Sequence, residues 1–329
     1  MATEVDVSAQ LTLVELAKRT NNKETLDIAS VLSKMTPVIA DAYWKEANQL
    51  TGHIHNRETK LAGSGTWRDV NQGVSPTAGQ TEQVTEPIGY LEDRSEIDEL
   101  LVKLAPEPKI FRYNEDLLHL RGLAQTIETA FWYGNLATAP KAIQGFTTRY
   151  NVLTPTAPDP DNVQDAGSAA TCTSAWIIKW GPDSVYCVYP RNSKTLGIER
   201  HDMGRELITT TAPARLYMWV TQFIFNIGIC VRNHKCVQRL ANINGASGAV
   251  ANLVDENKLI EMYYNIPGGT EGCVLYCNKA VATQLAIKAK DKPNVIWPST
   301  DAFGKPILKF WDIPIHVSEM ITSAETVVA

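Results

Sequence analysis

Between residues 51 and 90 the chain carries six of its 20 glycines and only ten apolar residues in forty, or 25% against 44% for the whole sequence. Thr, Gln, Asn and Arg fill both faces of two extended segments, 52–60 and 80–89, so neither segment has an apolar face to bury. Trp67, Val70, Tyr90 and the Thr-rich runs argue for two paired arms rather than an unstructured linker. A β-hairpin of this kind has no core of its own and is marginal alone in water. It needs a partner surface elsewhere, so the remaining elements must be read around an arm built to grip a neighbour.

Those elements give a mixed set. Residues 1–47 read as two short amphipathic helices, one capped by Ser8 and carrying Leu11, Val14 and Ala17, the other carrying Ile28, Val31, Leu32 and Met35 up to Pro37. Neither has enough apolar surface to stand alone. The strongest helix follows the acidic stretch. Asn114 is its candidate N-cap, Glu115 and Asp116 suit the positive end of the dipole, and Leu117, Leu120, Ala124, Ile127 and Phe131 form its stripe up to Gly134-Asn135. This is a spine. Residues 151–168 are rich in Pro and Asp and read as loop. A hairpin is expected over 174–190 around Gly181-Pro182-Asp183, and a strand covered on both faces over 214–231. A helix over 253–264, a strand over 272–277, a helix capped by Asn278 and a last strand through Ile313, Ile315 and Val317 complete the pattern. Helices and strands interleave without a regular βαβ rhythm, which makes the chain α+β.

Catalysis finds no support in the sequence. The glycine-rich phosphate loops, the zinc-protease helix and the nucleophile elbow are all missing. The six cysteines include no C-x-x-C pair and read as reduced core thiols; Cys230, His234 and Cys236, and Cys273 with Cys277, are the spacings that suggest metal, against ordinary packing. His53 and His55 fall on one side of a strand and read as solvated or interfacial imidazoles. His201-Asp202 has no nucleophile beside it, and the acids of 92–99 lack the spacing of a calcium loop. With a net charge of -5, no run long enough to span a membrane and no basic apolar leader, the chain is expected to work where it is made, without membrane, cofactor or metal.

Several words, in order, carry a resemblance: TLVELAKR (12–19), TGH (51–53), WRDVNQGV (67–74), FWYGN with TAP (131–140), GFTTRYN (145–151), DAGS (165–168), SAWIIKWG (174–181) and VQRLANIN (237–244). With the order of elements, they make the chain similar to the major capsid proteins of tailed bacteriophages, which have the Hong Kong 97-like fold. The word-level likeness is greatest to short-tailed phages of the Bordetella BPP and epsilon-fifteen kind. The resemblance implies an N-terminal arm over 1–49 and an extended loop over 50–98. It implies a peripheral domain from 99–150, 214–244 and 307–329 with its spine helix at 112–134, and an axial domain over 245–306. The stretch 151–213 fits either domain. The implied function is a head protein that assembles with itself, as hexamers and pentamers, into an icosahedral shell around double-stranded DNA bound without sequence preference. Portal and scaffold or cement proteins are the further partners implied, with assembly in the bacterial cytoplasm. An encapsulin shell that holds a cargo enzyme shares the fold and is the near alternative; a metal-dependent α/β enzyme is the remote one.

Charge supplies candidate contacts between copies. Residues 82–116 carry a net -6 and residues 187–240 a net +5, which permits head-to-tail contact or pairing within the chain. In the arm, Arg57, Trp67 and Arg68 are the candidate anchors: Arg offers a rigid fork to carboxylates, and Trp the largest apolar contact per residue.

Overall fold

The spine helix organises the molecule. In the computed structural model, which describes residues 20–21, 24–25, 36–63, 65–153, 162–167, 170–193, 198–209, 215–246, 248–249, 251–291 and 309–328, it runs from Pro108 to Tyr133. Pro108 sits in the first turn, where its missing N–H costs nothing and its fixed φ suits a helix. The helix therefore starts before the expected cap, and Asn114 lies inside it. Its buried residues are Phe111, Asp116, Leu123, Ile127, Glu128, Phe131 and Trp132. Of the expected stripe, Ile127 and Phe131 are buried, whereas Leu117, Leu120 and Ala124 are only half-buried. The face is displaced because it includes two acids, which an apolar pattern cannot register.

Gly134 ends the helix, but not through a left-handed turn: it takes φ -54° and ψ 135°. A Cβ on Gly134 would lie 2.5 Å from the Ala130 carbonyl oxygen, and one on Gly145 would lie 2.5 Å from the Gly134 nitrogen. The two glycines let the returning chain cross the helix end, with the Gly145 N–H donating to the Gly134 carbonyl at 2.9 Å.

The strands begin with β1 (Thr20–Asn21) and β2 (Glu24–Thr25), a short antiparallel pair at the Asn-rich break; the amphipathic helices expected within 1–35 fall outside the described residues. Next come β3 (Trp44–Glu46), β4 (Gly52–Lys60), β5 (Gln80–Pro87), β6 (Gly89–Asp98), β7 (Val163–Asp165) and β8 (Cys172–Lys179). They are followed by β9 (Val185–Tyr189), β10 (Ile198–Thr209), β11 (Arg215–Val231), β12 (Val237–Asn244), β13 (Cys273–Cys277), β14 (Lys309–Phe310) and β15 (Ile313–Val317).

One sheet has the order β14-β15-β13-β8-β12-β7. The spine helix covers one face, where Trp132 packs 5.8 Å from Trp176 and 5.6 Å from Tyr276 between ring centroids. Helices Glu256–Asn265 and Lys279–Asp291 cover the other, burying Leu259, Met262, Val281 and Leu285 with Ala175 and Ile177. Both helices are capped by side chains, Asp255 and Asn278, close to where the sequence places them. Because both faces of the sheet are covered, β8 is apolar on successive residues and runs through its middle. This overturns the expected hairpin. The turn at 181–183 forms, but β8 pairs with β12 and β13 while β9 joins the other sheet, and the two are linked beside the turn by the Trp180–Val185 bridge.

The other sheet has the order β10-β11-β9-β3, with β6 also pairing along β11. β11 spans 17 residues, as expected for 214–231. β10 is unforeseen. Its Glu-Arg-His-Asp-Met-Gly-Arg-Glu run has too many charges and a glycine, and it bulges at Gly204, whose φ is +78°. β7 corrects the reading of 151–168 as loop throughout: its three residues pair parallel with β12.

The lead-in to the core is held by a buried acid. The Val38 N–H donates to Glu128 Oε2 at 3.3 Å, Ser318 Oγ donates to Oε1, and Trp132 Nε1 donates to Ser318 Oγ at 3.2 Å. Burial pushes the Glu128 carboxyl up to about 7, against the hydrogen bonds that favour its charge. The folded state thus holds this proton more tightly than the unfolded chain. That contribution is complete below the ordinary value of 4.5 and is lost as pH rises through about 7. Glu128→Gln is neutral at every pH. It should melt like the wild type near pH 5 and be more stable by about 1–3 kcal/mol near pH 8, read from thermal unfolding at the two pH values.

Candidate assembly interface

The 52–60 and 80–87 segments pair antiparallel, from Gly52 opposite Pro87 to Lys60 opposite Gln80, with an irregularity between Glu58 and Lys60. This is the expected two-stranded arm, and it has two unlike ends. At the root, Gly52, His53, His55 and Glu86 are buried; from Glu58 outward β4 is exposed. Arg149 anchors the root by a bidentate contact, Nη1 to Glu86 Oε1 and Nη2 to Oε2, both at 2.7 Å.

The two histidines, read from the sequence as solvated or interfacial, are buried within the subunit. His53 Nε2 lies 2.9 Å from Tyr186 Oη, and His55 Nδ1 lies 3.4 Å from Cys230 Sγ. The correction comes from β9 and β11, which supply an apolar floor to a strand whose own sequence is polar.

The three expected anchors have different fates. Arg57 stands directly opposite Glu82 and donates to its Oε2 from Nε at 2.9 Å and Nη2 at 2.8 Å, so it closes the arm on itself. Arg68 Nη1 donates to the Gln72 carbonyl at 3.0 Å and shapes the tip turn, where Asn71 has φ +67°. Trp67 is fully exposed, and Leu61, Val70 and Val74 are exposed with it. The apolar character of the tip is thus wider than one residue; the sequence held that signal in Leu61 and Val74, scattered among glycines.

The opposite charge windows meet within one chain. Arg200 reaches Asp116 at 2.5 Å, Arg205 reaches Glu99 at 2.8 Å and Arg112 reaches Asp202 at 2.8 Å. Of the two possibilities, intramolecular pairing is the one observed. β6 and β10 flank β11 while the spine helix packs against β6, which brings residues 90 apart in sequence side by side.

The other chemistry candidates are dispersed. His201 Nε2 is 3.0 Å from Glu199 and Asp202 faces Arg112, so His201-Asp202 is not an orienting pair. Cys230 belongs to the arm root and Cys236 to the core around the spine, and burial raises the Cys230 thiol to about 11. Among the described residues, no three His, Cys, Asp or Glu side chains gather as a metal site, and no helix is long and apolar enough to cross a membrane.

A family model described as major capsid protein GP7 matches residues 20–329. Among solved structures, the chain is similar to one from bacteriophage epsilon15, with 22% identity, 99% of each chain covered and a TM-score of 0.75. It is also similar to a chain of the bacteriophage JBD30 capsid, with 10% identity, 88% of this chain and 93% of that chain covered and a TM-score of 0.50. At these identities the likeness is one of fold. No curated protein matches the sequence.

Proposed function

This chain belongs to the major capsid protein GP7 family, and we propose that its copies close into an icosahedral head around double-stranded DNA, each holding the next with the arm of β4 and β5. It is a tailed-phage head subunit with the α+β, Hong Kong 97-like fold, a structural protein of the virion capsid and not an enzyme. Residues 1–49 then serve as the N-terminal arm and 50–98 as the extended loop across a neighbour. The peripheral domain takes 99–150, 214–244 and 307–329, and the axial domain 245–306. These boundaries divide one sheet, since β12, β14 and β15 fall in the first group and β13 in the second; within 151–213, β8 links β12 to β13 while β9 and β10 join β11.

The observation that carries this reading is the exposed tip. Trp67, Leu61 and Val70 stand in solvent on a two-stranded arm that buries little beyond its root. Apolar side chains this exposed, on an arm with no core of its own, support a contact with another copy. In the shell, Trp67 is the contact across copies, and Arg57 and Arg68 hold the arm in the shape that presents it. A net charge of -5 suits a wall that holds duplex DNA without gripping it. Hexamers and pentamers, a portal, scaffold or cement proteins and assembly in the host cytoplasm complete the proposal. Sedimentation and electron microscopy of the full-length chain, expressed alone and with the remaining head proteins of its phage, test it. Closed shells or rings of five and six copies are expected, and a subunit that stays a monomer in both settings overturns it.

A further inference from the structure

The root of the arm contains a pair of histidines that the assembly reading does not use. His53 and His55 are buried, with parallel rings 6.5 Å apart between centroids. Their hydrogen bonds fix the protonation state. The backbone N–H of Asn48 donates to His53 Nδ1 at 3.3 Å, so that nitrogen carries no proton, and Nε2 is the one that meets Tyr186 Oη. A second proton on His53 would set two N–H donors against each other. Among the described residues, His55 meets the Cys230 sulfur at Nδ1, and its buried Nε2 has no hydrogen-bond partner. A charged His55 would leave a buried N–H unanswered, which is costly.

We propose that the arm root is an acid-released clasp: His53 and His55 seat β4 against β9 and β11 only as neutral imidazoles, and protonation of either ring unseats the strand. The groups facing the pair favour this outcome. Lys45 comes from β3, Arg57 lies on β4, Arg149 comes from the helix Phe146–Arg149, and Arg232 follows β11. Glu86 on β5 is the opposing acid, and its carboxylate is engaged by Arg149. Tyr186 and Cys230 complete the floor and are neutral near pH 7, with burial raising both of their values. Burial is the main reason both imidazoles lie below the ordinary 6.5; His55 and Lys45 add to it for His53, while for His55 the Glu86 carboxylate opposes it and Arg57, Arg149 and Arg232 lower it further. The seated form is therefore favoured above about pH 6.5, and its advantage falls about tenfold per pH unit for each histidine below that point, until the lowered values are reached. Glu86 and Arg149 keep β5 in place while β4 leaves. The inference concerns one subunit and does not depend on how subunits assemble.

Cys230 lies under His55 and reports the opening. The full-length subunit is labelled with dithiodipyridine, which reacts with thiols in acid, and Cys230 and Cys277 are quantified separately by mass spectrometry. Cys277 is buried in the core on the far side of the other sheet and serves as the internal reference. From about pH 7.5 to about pH 5.5, the Cys230-to-Cys277 labelling ratio should rise at least about tenfold in the wild type. The double variant His53→Gln/His55→Gln should hold the ratio flat. A flat wild-type ratio overturns the proposal, and so does an undiminished rise in the variant. If the variant does not fold, amide exchange of the wild type over the same pH range decides. Protection of residues 52–56, corrected for intrinsic rates, should fall while that of 273–277 holds; equal behaviour of the two segments overturns the clasp.

Discussion

Glu325→Ala should lower the stability of the subunit by about 3–5 kcal/mol, the scale seen when one partner of a buried ion pair is removed. Arg239 and Glu325 are 1% and 4% exposed, with Nη2 and Oε2 2.9 Å apart. The Arg239 guanidinium lies over the Trp176 ring, donates to the Tyr150 carbonyl at 2.5 Å and to Ser174 Oγ at 3.0 Å, and has no other carboxylate in reach among these contacts. Glu325 also accepts from Tyr133 Oη at 2.7 Å. Alanine thus leaves a buried cation uncompensated and the half-buried Tyr133 phenol with one partner fewer. The same substitution loosens the C-terminal segment, whose Glu325 N–H donates to the Cys172 carbonyl and whose Val328 exchanges two bonds with Asn242. Urea unfolding measures the loss, and the joint variant Arg239→Met/Glu325→Leu should recover most of it, because an apolar pair of similar volume has no charge to satisfy. A loss below about 1 kcal/mol for Glu325→Ala would mean that the tail contributes little to the fold.

That pair also marks where the sequence stops being legible. Periodicity finds elements whose signal is local: the spine, β11, the helix after Asp255 and the last strand each lie close to their expected positions. The arm was legible because a shortage of apolar residues is also a local signal. A charged residue carries no mark of its partner. Arg239 and Glu325, 86 positions apart, look in the sequence like any solvated ions, as do Asp116 and Arg200. For the same reason β10 escaped detection: its charges are satisfied by neighbours from the spine helix, β6 and the short helix Glu99–Leu104 that only the topology brings together. The histidines of the arm root show the converse error. Polar residues in a polar segment read as solvated or interfacial until β9 and β11 of the same chain are known to lie beneath them.

The same distinction ranks the three arm residues by their expected effect on assembly. Arg57 already spends two hydrogen bonds on Glu82, and an exposed pair of this kind is worth under about 1 kcal/mol, so Arg57→Ala should change assembly little beyond loosening the arm. Arg68→Glu loses one contact to the Gln72 carbonyl within the tip and should act through the shape of the turn. Trp67→Ala should be the severe variant. Its indole is fully exposed, so removing it takes nothing from the folded subunit, and circular dichroism should be unchanged. On assembly the same ring is the largest apolar surface the tip can bury, and aromatic anchors at interfaces are worth about 2 kcal/mol or more each. One such contact per subunit raises the concentration needed for assembly by about thirtyfold, and the repetition of that contact around a closed shell steepens the loss. Sedimentation of the assembled fraction against subunit concentration reads the shift directly. Wild-type assembly by Trp67→Ala would leave the indole outside the interface and remove Trp67 from the set of contacts between copies.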